Sequence, residues 1–374
     1  MILKNARIYN SQEKAFVNAD VTIGDGKFAN INYLNTPDKK SEAIIPGFVD
    51  IHSHGAAGID MFSADSAGLA KMSEFYVQNG VTTLFPTTIS DSHDKIMRMI
   101  DEVKKARRTA RTDFAGIHIE GPYINRKKAG AHTLNSIQDI NLGALEEICA
   151  AVLDCGLKLH VTLAPEIDGG LDAVKLLKKR GATVTLGHTE ASAEILNQAI
   201  ELGADSFTHL YNAMTGIHHR DAGVAGHAIN SRIYAELICD GVHVCPEVVS
   251  LTTRAKGFDK IVIVSDSMSA AGLPEGEYNL GQSAVTITGG KVLLKGTDTI
   301  AGSTANLFIE LNNFMRFTGA SLEDALPLVT RNPADCVGLY DRKGGIAEGK
   351  DADFIVWDNR IKEVYVKGER VYQS

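Results

Sequence analysis

Two rhythms divide the chain. At both ends apolar and polar positions alternate, as in half-buried strands. Residues 2–9, 17–23 and 27–32 form one such group, with a turn at Asp25-Gly26 before the third. Residues 352–358, 362–367 and 369–373 form the other, with a turn at Lys367-Gly368. A small antiparallel unit at one end cannot bury a core by itself. The two termini are therefore predicted to pair in one discontinuous β-sandwich.

Between the ends, short apolar runs alternate with amphipathic segments, the signal of a parallel α/β core. Strands are predicted at 48–54, 82–88, 114–120, 157–163, 182–187, 205–209, 234–239 and 260–266. The helices carry their own signals. Ile96, Met99, Ile100 and Val103 fall at i, i+3, i+4 and i+7, behind Ser92 as N-cap. The helix near 67–79 ends at Asn79-Gly80, and the one at 171–180 ends at Gly181. Eight βα units over roughly 250 residues have the size of a TIM barrel; a doubly wound sheet would lack this regular count. A Gly-rich stretch at 272–298 follows the eighth strand. It has β-like pieces at 284–287 and 291–294, read as a hairpin inserted beside the barrel mouth. Helices near 304–317 and 322–331 close the barrel. The predicted class is α/β, a (β/α)8 barrel over 46–335 with a β-sandwich built from 1–45 and 336–374.

Composition narrows the function. The 374 residues are 44% hydrophobic, enough for a large core. A net charge of -8 argues against a general nucleic-acid binder, which needs a basic face. Five cysteines, at 149, 155, 239, 245 and 336, contain no C-x-x-C. They read as reduced thiols of a cytoplasmic protein. The first residues show no signal-peptide pattern, and no apolar run approaches about 18 residues, so no membrane span is expected.

Barrel active sites sit at the C-terminal ends of the strands, so the polar residue ending each strand carries the argument. The first strand ends in His52 and His54, within D-I-H-S-H-G. Residues two apart on a strand point to the same side, so these imidazoles converge. The third strand ends in Glu120, the fifth in His188, the sixth in His209 and the eighth in Asp266. Singly, each reads as a packed histidine or a helix cap. Together, on one rim, they read as a metal site. Imidazole with carboxylate suits zinc, iron, cobalt or manganese; magnesium or calcium would want more oxygens. Six candidate ligands leave room for one or two metals per subunit, with Glu120 bridging. Such a site activates water at neutral pH and polarises a carbonyl. Asp266 would take the proton from the attacking water and hand it to the leaving group. His118, two before Glu120, shares its face and reads as packing or support.

These residues carry a resemblance. P-G-F-V-D-I-H-S-H-G, the two later strand-end histidines and the eighth-strand aspartate resemble the amidohydrolase superfamily over nearly the whole chain. More narrowly, H-I-E-G-P-Y-I-N at 118–125, K-K-A-G-A-H at 127–132, H-L-Y-N-A-M at 209–214, D-G-V-H-V at 240–244 and A-G-S-T at 301–304 resemble the N-acetylglucosamine-6-phosphate deacetylase family. A carboxylated lysine on the fourth strand is common in the superfamily. Here Lys158 lies at the wrong end of that strand, and Glu120 takes the bridging place, as in this deacetylase family. Some members lack the H-x-H pair and hold one metal; this chain keeps His52 and His54.

The resemblance implies roles. Glu120, His188 and His209 would be the primary ligands, Asp266 the acid/base, and His132 the group polarising the carbonyl. Ala131, Asn212, Ala213, Ile300, Ala301, Gly302 and Ser303 would contact the sugar. Arg220 and His243 would contact the phosphate, where a guanidinium fork suits a dianion. The implied reaction is deacetylation of N-acetyl-D-glucosamine 6-phosphate in amino-sugar catabolism and cell-wall sugar recycling. A homodimer is implied, with Arg220 serving a neighbouring site. Two other readings compete. One is a different amidohydrolase activity, on a cyclic amide or nucleobase, which need not read a phosphate. The other is a metal-stabilised carbohydrate-binding protein without turnover, which the acid/base aspartate argues against.

Overall fold

A computed structural model describes residues 1–35, 42–281 and 283–374. Residues 36–41 and Gln282, which fall in the expected sandwich and insertion, lie outside the described residues.

All eight predicted barrel strands form. They are β1 (Phe48–Ser53), β2 (Val81–Pro86), β3 (Gly116–Glu120), β4 (Lys158–Leu163), β5 (Thr183–Leu186), β6 (Ser206–Phe207), β7 (Tyr234–Leu237) and β8 (Ile261–Ile263). β3 to β8 make one parallel sheet, and β1 pairs with β2 in parallel. β2 joins β3 through a short strand, Asp113–Phe114, and a bridge between Thr87 and His118. The ring closes between β8 and β1 through single bonds. Asp266 N–H donates to the His52 carbonyl at 3.0 Å, and Ser265 Oγ donates to Asp50 Oδ2 at 2.6 Å.

The strands are apolar because helices cover their outer faces. In His93–Ala106, the residues Ile96, Met99, Ile100 and Val103 are buried, as their spacing requires. Each such side chain stabilises the layer by about 1.5–3 kcal/mol. Ser92 holds the cap position, but its side chain makes no capping bond. Ser66–Gln78 ends at Asn79, and Gly170–Arg180 ends at Gly181, whose φ of 84° favours glycine. Helices Leu307–Thr318 and Leu322–Val329 complete the ring.

Both termini enter one seven-stranded sheet. Its order is Glu369–Gln373, Ile361–Val366, Phe354–Trp357, Ala43–Pro46, Ile2–Asn10, Ala15–Gly24 and Lys27–Leu34. The sheet is rolled. The rings of Phe28 and Phe354 lie 6.1 Å apart although three strands separate theirs in the order. One continuous sheet thus encloses Ile8, Val21, Ile31 and Ile44 and supplies both layers of the expected sandwich. Beside the barrel, Lys343 is buried 2.8, 3.0 and 2.7 Å from carboxylate oxygens of Asp113, Asp351 and Asp353.

The insertion differs from a hairpin. It has three antiparallel strands, Gly276–Leu280, Ser283–Thr288 and Lys291–Leu294. The first reads G-E-Y-N-L, too short and polar to announce itself. Backbone pairing with the second strand makes it one. Among the described residues no helix is long and apolar enough to cross a membrane, and all five cysteines are free.

Candidate active site

At the barrel's C-terminal rim, a backbone device turns side chains inward. His188, His209 and Asp266 come shortly after the ends of β5, β6 and β8, and their φ angles are 50°, 29° and 44°. A left-handed non-glycine backbone costs roughly 1–3 kcal/mol and concentrates where function holds it in place. Hydrogen bonds hold it here. The N–H of His209 donates to Glu236 Oε2 at 3.2 Å, and that of Asp266 to the His52 carbonyl at 3.0 Å.

Glu120 is the hub. Its Oε1 lies 3.1 Å from Nε2 of both His188 and His209. Its Oε2 lies 3.2 Å from His54 Nε2 and 3.3 Å from His132 Nε2. His52 and His54 also face Asp266 Oδ1, at 3.5 and 3.4 Å. All seven side chains are buried. Burial alone would raise both carboxyl groups. When protonated, the imidazoles around them, His52 foremost, outweigh it and hold Glu120 well below, and Asp266 below, the ordinary range.

The far nitrogen of each ring decides what the near one presents. His188 Nδ1 lies 2.7 Å from the Lys128 carbonyl, which can only accept. Its hydrogen therefore sits on Nδ1, and Nε2 presents a lone pair. His52 Nδ1 lies 2.9 Å from Glu236 Oε2, so its neutral ring likewise leaves Nε2 a lone pair. Burial opposes a charge on this ring, but Asp266 and Glu120 outweigh burial and raise it well above the usual imidazole value, so a cation there would take the place of the Nε2 proton. The His52 Nε2, though buried, has no hydrogen-bond partner among the described residues. His132 is the opposite case. Its Nδ1 accepts the N–H of Ser90 at 3.1 Å, so the neutral ring carries its hydrogen on Nε2. Burial pushes His132 down to about 4 despite Glu120, which keeps the ring neutral.

Lone pairs crowded around a carboxylate fit a divalent cation of the zinc, iron, cobalt or manganese kind. Glu120, His188 and His209 could hold one such ion, and His52, His54 and Glu120 a second. His132 also lies close to Glu120 and His188. With its hydrogen on Nε2, the neutral ring presents a donor there rather than a lone pair. His118 stays below the site, its Nε2 2.7 Å from Thr162 Oγ1, and burial holds its ring well below the usual value.

The rim opens on a cavity of about 270 Å³, lined in part by Ala131, Asn212, Ala213, His243, Ile300 and Gly302. Ala301 and Ser303 do not line it. Ala301 is fully buried, and Ser303 Oγ accepts the Ala305 N–H at 2.7 Å. The His243 ring is 6% exposed. Burial opposes its charge, but Asp240 Oδ2, 2.7 Å from Nδ1, outweighs burial and raises it. Arg220 is exposed on the loop after Met214, outside this cavity, with Nη1 2.7 Å from His219 Nε2.

Sequence reasoning missed Glu236, Ile89 and Leu280. Glu236 is fully buried on β7 and touches His52 and His209. Its signal is a lone carboxylate inside the otherwise apolar Y-A-E-L, which a barrel interior tolerates only with partners. Ile89 and Leu280 add apolar cavity wall, and nothing in their local pattern marks them out.

Comparisons agree with this geometry. Residues 43–371 match the model of the amidohydrolase family. An N-acetylglucosamine-6-phosphate deacetylase from Danio rerio is 32% identical over 376 residues, covering 95% of this chain and 93% of the relative. The crystal structure of the Thermotoga maritima N-acetylglucosamine-6-phosphate deacetylase superposes with a TM-score of 0.92 at 32% identity, covering 100% of both chains. A mutant Mycobacterium smegmatis N-acetyl-D-glucosamine-6-phosphate deacetylase, in complex with N-acetyl-D-glucosamine-6-phosphate, superposes with a TM-score of 0.90 at 29% identity, covering 100% of this chain and 99% of that one. The chain belongs to the amidohydrolase family and, within it, to the N-acetylglucosamine-6-phosphate deacetylases.

Proposed function

We propose that this chain hydrolyses the acetamide of N-acetyl-D-glucosamine 6-phosphate, releasing D-glucosamine 6-phosphate and acetate. One observation carries the reading. Lone pairs of His52 and His188 face Glu120, while His132 presents an N–H into the same cavity. Amide hydrolysis needs both a seat for a Lewis acid and a donor for the carbonyl oxygen. The substrate choice is supported by the relatives and by the sugar phosphate held in the Mycobacterium smegmatis complex.

Glu120, His188 and His209 would hold a divalent cation (zinc, iron, cobalt or manganese), with His52 and His54 available for a second. When bound, the cation supplies Lewis acidity that activates water at neutral pH and polarises the amide carbonyl. The chain's own groups do the rest. Asp266 takes the proton of the attacking water. The water oxygen bonds to the carbonyl carbon while His132 Nε2–H donates to the carbonyl oxygen. The C–N bond then breaks, and the nitrogen gains the proton that Asp266 carries. Ala131, Asn212, Ala213, Ile300 and Gly302 surround the sugar, and His243, whose charged form Asp240 favours, meets the phosphate.

Two copies pair in this reading, so that Arg220 of one reaches the phosphate held by the other. Support comes from the position of Arg220 outside its own cavity, and from Ile217 beside it, 57% exposed. The setting is cytoplasmic amino-sugar catabolism and cell-wall sugar recycling. The test is acetate release from the sugar with and without its 6-phosphate, on protein of measured metal content. Equal turnover of both sugars would overturn the substrate assignment.

A further inference from the structure

We propose that Glu236 is a positioning residue that locks the two halves of the metal site to each other. The inference rests on the reading that His52 and His209 are metal ligands. Glu236 sits on β7, fully buried. Its Oε2 lies 2.9 Å from His52 Nδ1 and accepts the backbone N–H of His209 at 3.2 Å. Its Oε1 lies 3.2 Å from Nε2 of His160, whose Nδ1 is 2.8 Å from Thr183 Oγ1. Its main-chain carbonyl accepts the N–H of Leu210 at 2.8 Å. One residue therefore grips the His52 ring from beneath and clamps the corner at 209–210 from the side.

Each grip has a separate consequence. At His52 the carboxylate keeps the ring hydrogen on Nδ1, so Nε2 faces Glu120 and Asp266 with its lone pair free. At His209 it holds an N–H whose residue has φ 29°, a backbone that relaxes if nothing restrains it. His160 in turn stops the carboxylate from rotating. Burial of a carboxylate does not by itself give this role. Glu310 is also fully buried, yet its carboxylate accepts the N–H of Cys239, and no hydrogen bond or ion pair joins it to a ligand among the described residues.

Cobalt(II) titration of metal-stripped protein against a competing chelator tests the proposal, with the visible spectrum reporting the ligand set. Glu236→Leu should weaken cobalt binding about ten- to a hundredfold and change the spectrum. Glu236→Gln keeps one oxygen for His52 and His209 and should lose less, about tenfold or under. Glu310→Gln should leave both readouts at the parent values. Circular dichroism identifies the folded variants; if Glu236→Leu does not fold, Glu236→Gln decides. In a His52→Gln background, Glu236→Leu should still weaken the remaining cobalt, through His209. Unchanged affinity and spectrum in folded Glu236 variants would overturn the proposal, as would an equal loss in Glu310→Gln. No further loss in the His52→Gln background overturns the locking of two halves. A parent protein that binds no cobalt overturns the metal reading itself.

Discussion

The Nε2 atoms of His188 and His209 lie 3.0 Å apart, and each is 3.1 Å from the same oxygen of Glu120. Both nitrogens and that oxygen are within reach of one divalent cation, which the three residues could hold together. A chelator should therefore abolish activity, and zinc, iron, cobalt or manganese should restore it. His188→Ala and His209→Ala should strip the bound metal. His52→Gln and His54→Asn should affect a second metal more than the first. Metal analysis of the purified variants is the check, and a fully active, metal-free protein would sink the idea.

Asp266 faces His52 and His54 across 3.5 and 3.4 Å, and when protonated these rings lower its carboxyl against its burial. Asp266→Asn keeps the shape and removes the base. Its kcat should fall roughly 10²–10⁴-fold with metal content and substrate affinity retained. The pH–rate profile should also lose its acidic limb. Activity that instead tracks lost metal would make Asp266 a ligand only.

His132 offers a sharper contrast, because proximity alone would make it a ligand. Its bond from Ser90 assigns the hydrogen to Nε2, and its ring is neutral above about 4. His132→Ala should lower kcat by roughly 10²–10³-fold with normal metal content. Metal loss in step with activity would return His132 to the ligand set.

Arg220 lies outside the cavity of its own chain. Arg220→Ala should raise KM for the phosphorylated sugar about ten- to a hundredfold, the loss of roughly 1.5–3 kcal/mol for a charge-assisted contact. Turnover of the unphosphorylated sugar should barely change. Mixing Arg220→Ala subunits with subunits lacking Asp266 should restore partial activity through sites completed across the pair. No recovery in verified mixed dimers would place Arg220 in its own subunit's function or in none.

The cation at the barrel junction makes stability acid-sensitive. Burial would raise Asp113, but Lys343 and Lys367 outweigh it and lower the carboxyl from 3.8 to about 2. A depressed carboxyl contributes stability that is fully present above its unfolded value near ~4 and is lost as pH falls through its folded value. This group's contribution should thus fall between about pH 4 and pH 2, by an amount on the order of 2 kcal/mol, against an opposite trend from Asp353, which burial raises. Asp113→Asn should flatten that segment. Lys343→Met leaves three carboxylates without their shared cation and should cost about 3–5 kcal/mol at neutral pH. Urea midpoints across pH measure both, and a parent-like midpoint for Lys343→Met would leave the cluster no role in stability.

Much of the barrel is legible in the chain because its strands are short apolar runs separated by capped helices. The predicted run at 205–209 spans Ser206–Phe207, and that at 260–266 spans Ile261–Ile263. In both, the strand stops before the functional residue, because His209 and Asp266 turn left-handed. Periodicity cannot show that. It also hides Gly276–Leu280, which is a strand only because Ser283–Thr288 pairs with it.

What the sequence determined by itself is the rim and its members. Strand ends follow from hydrophobic runs, and a parallel barrel places all its C-terminal strand ends on one side. That is why Glu120, His188, His209 and Asp266 group with His52 and His54 from the sequence alone. What each ring does there was decided by tertiary structure alone. Identical imidazoles become a lone-pair donor or a hydrogen donor according to the partner of the far nitrogen. Those partners come from elsewhere in the chain. Ser90 stands 42 residues from His132, and Glu236 stands 184 residues from His52. The same holds for the division of residues 300–303 between cavity and core, and for Arg220 outside the pocket. Each depends on which surface the folded neighbours leave open, and no local pattern encodes that.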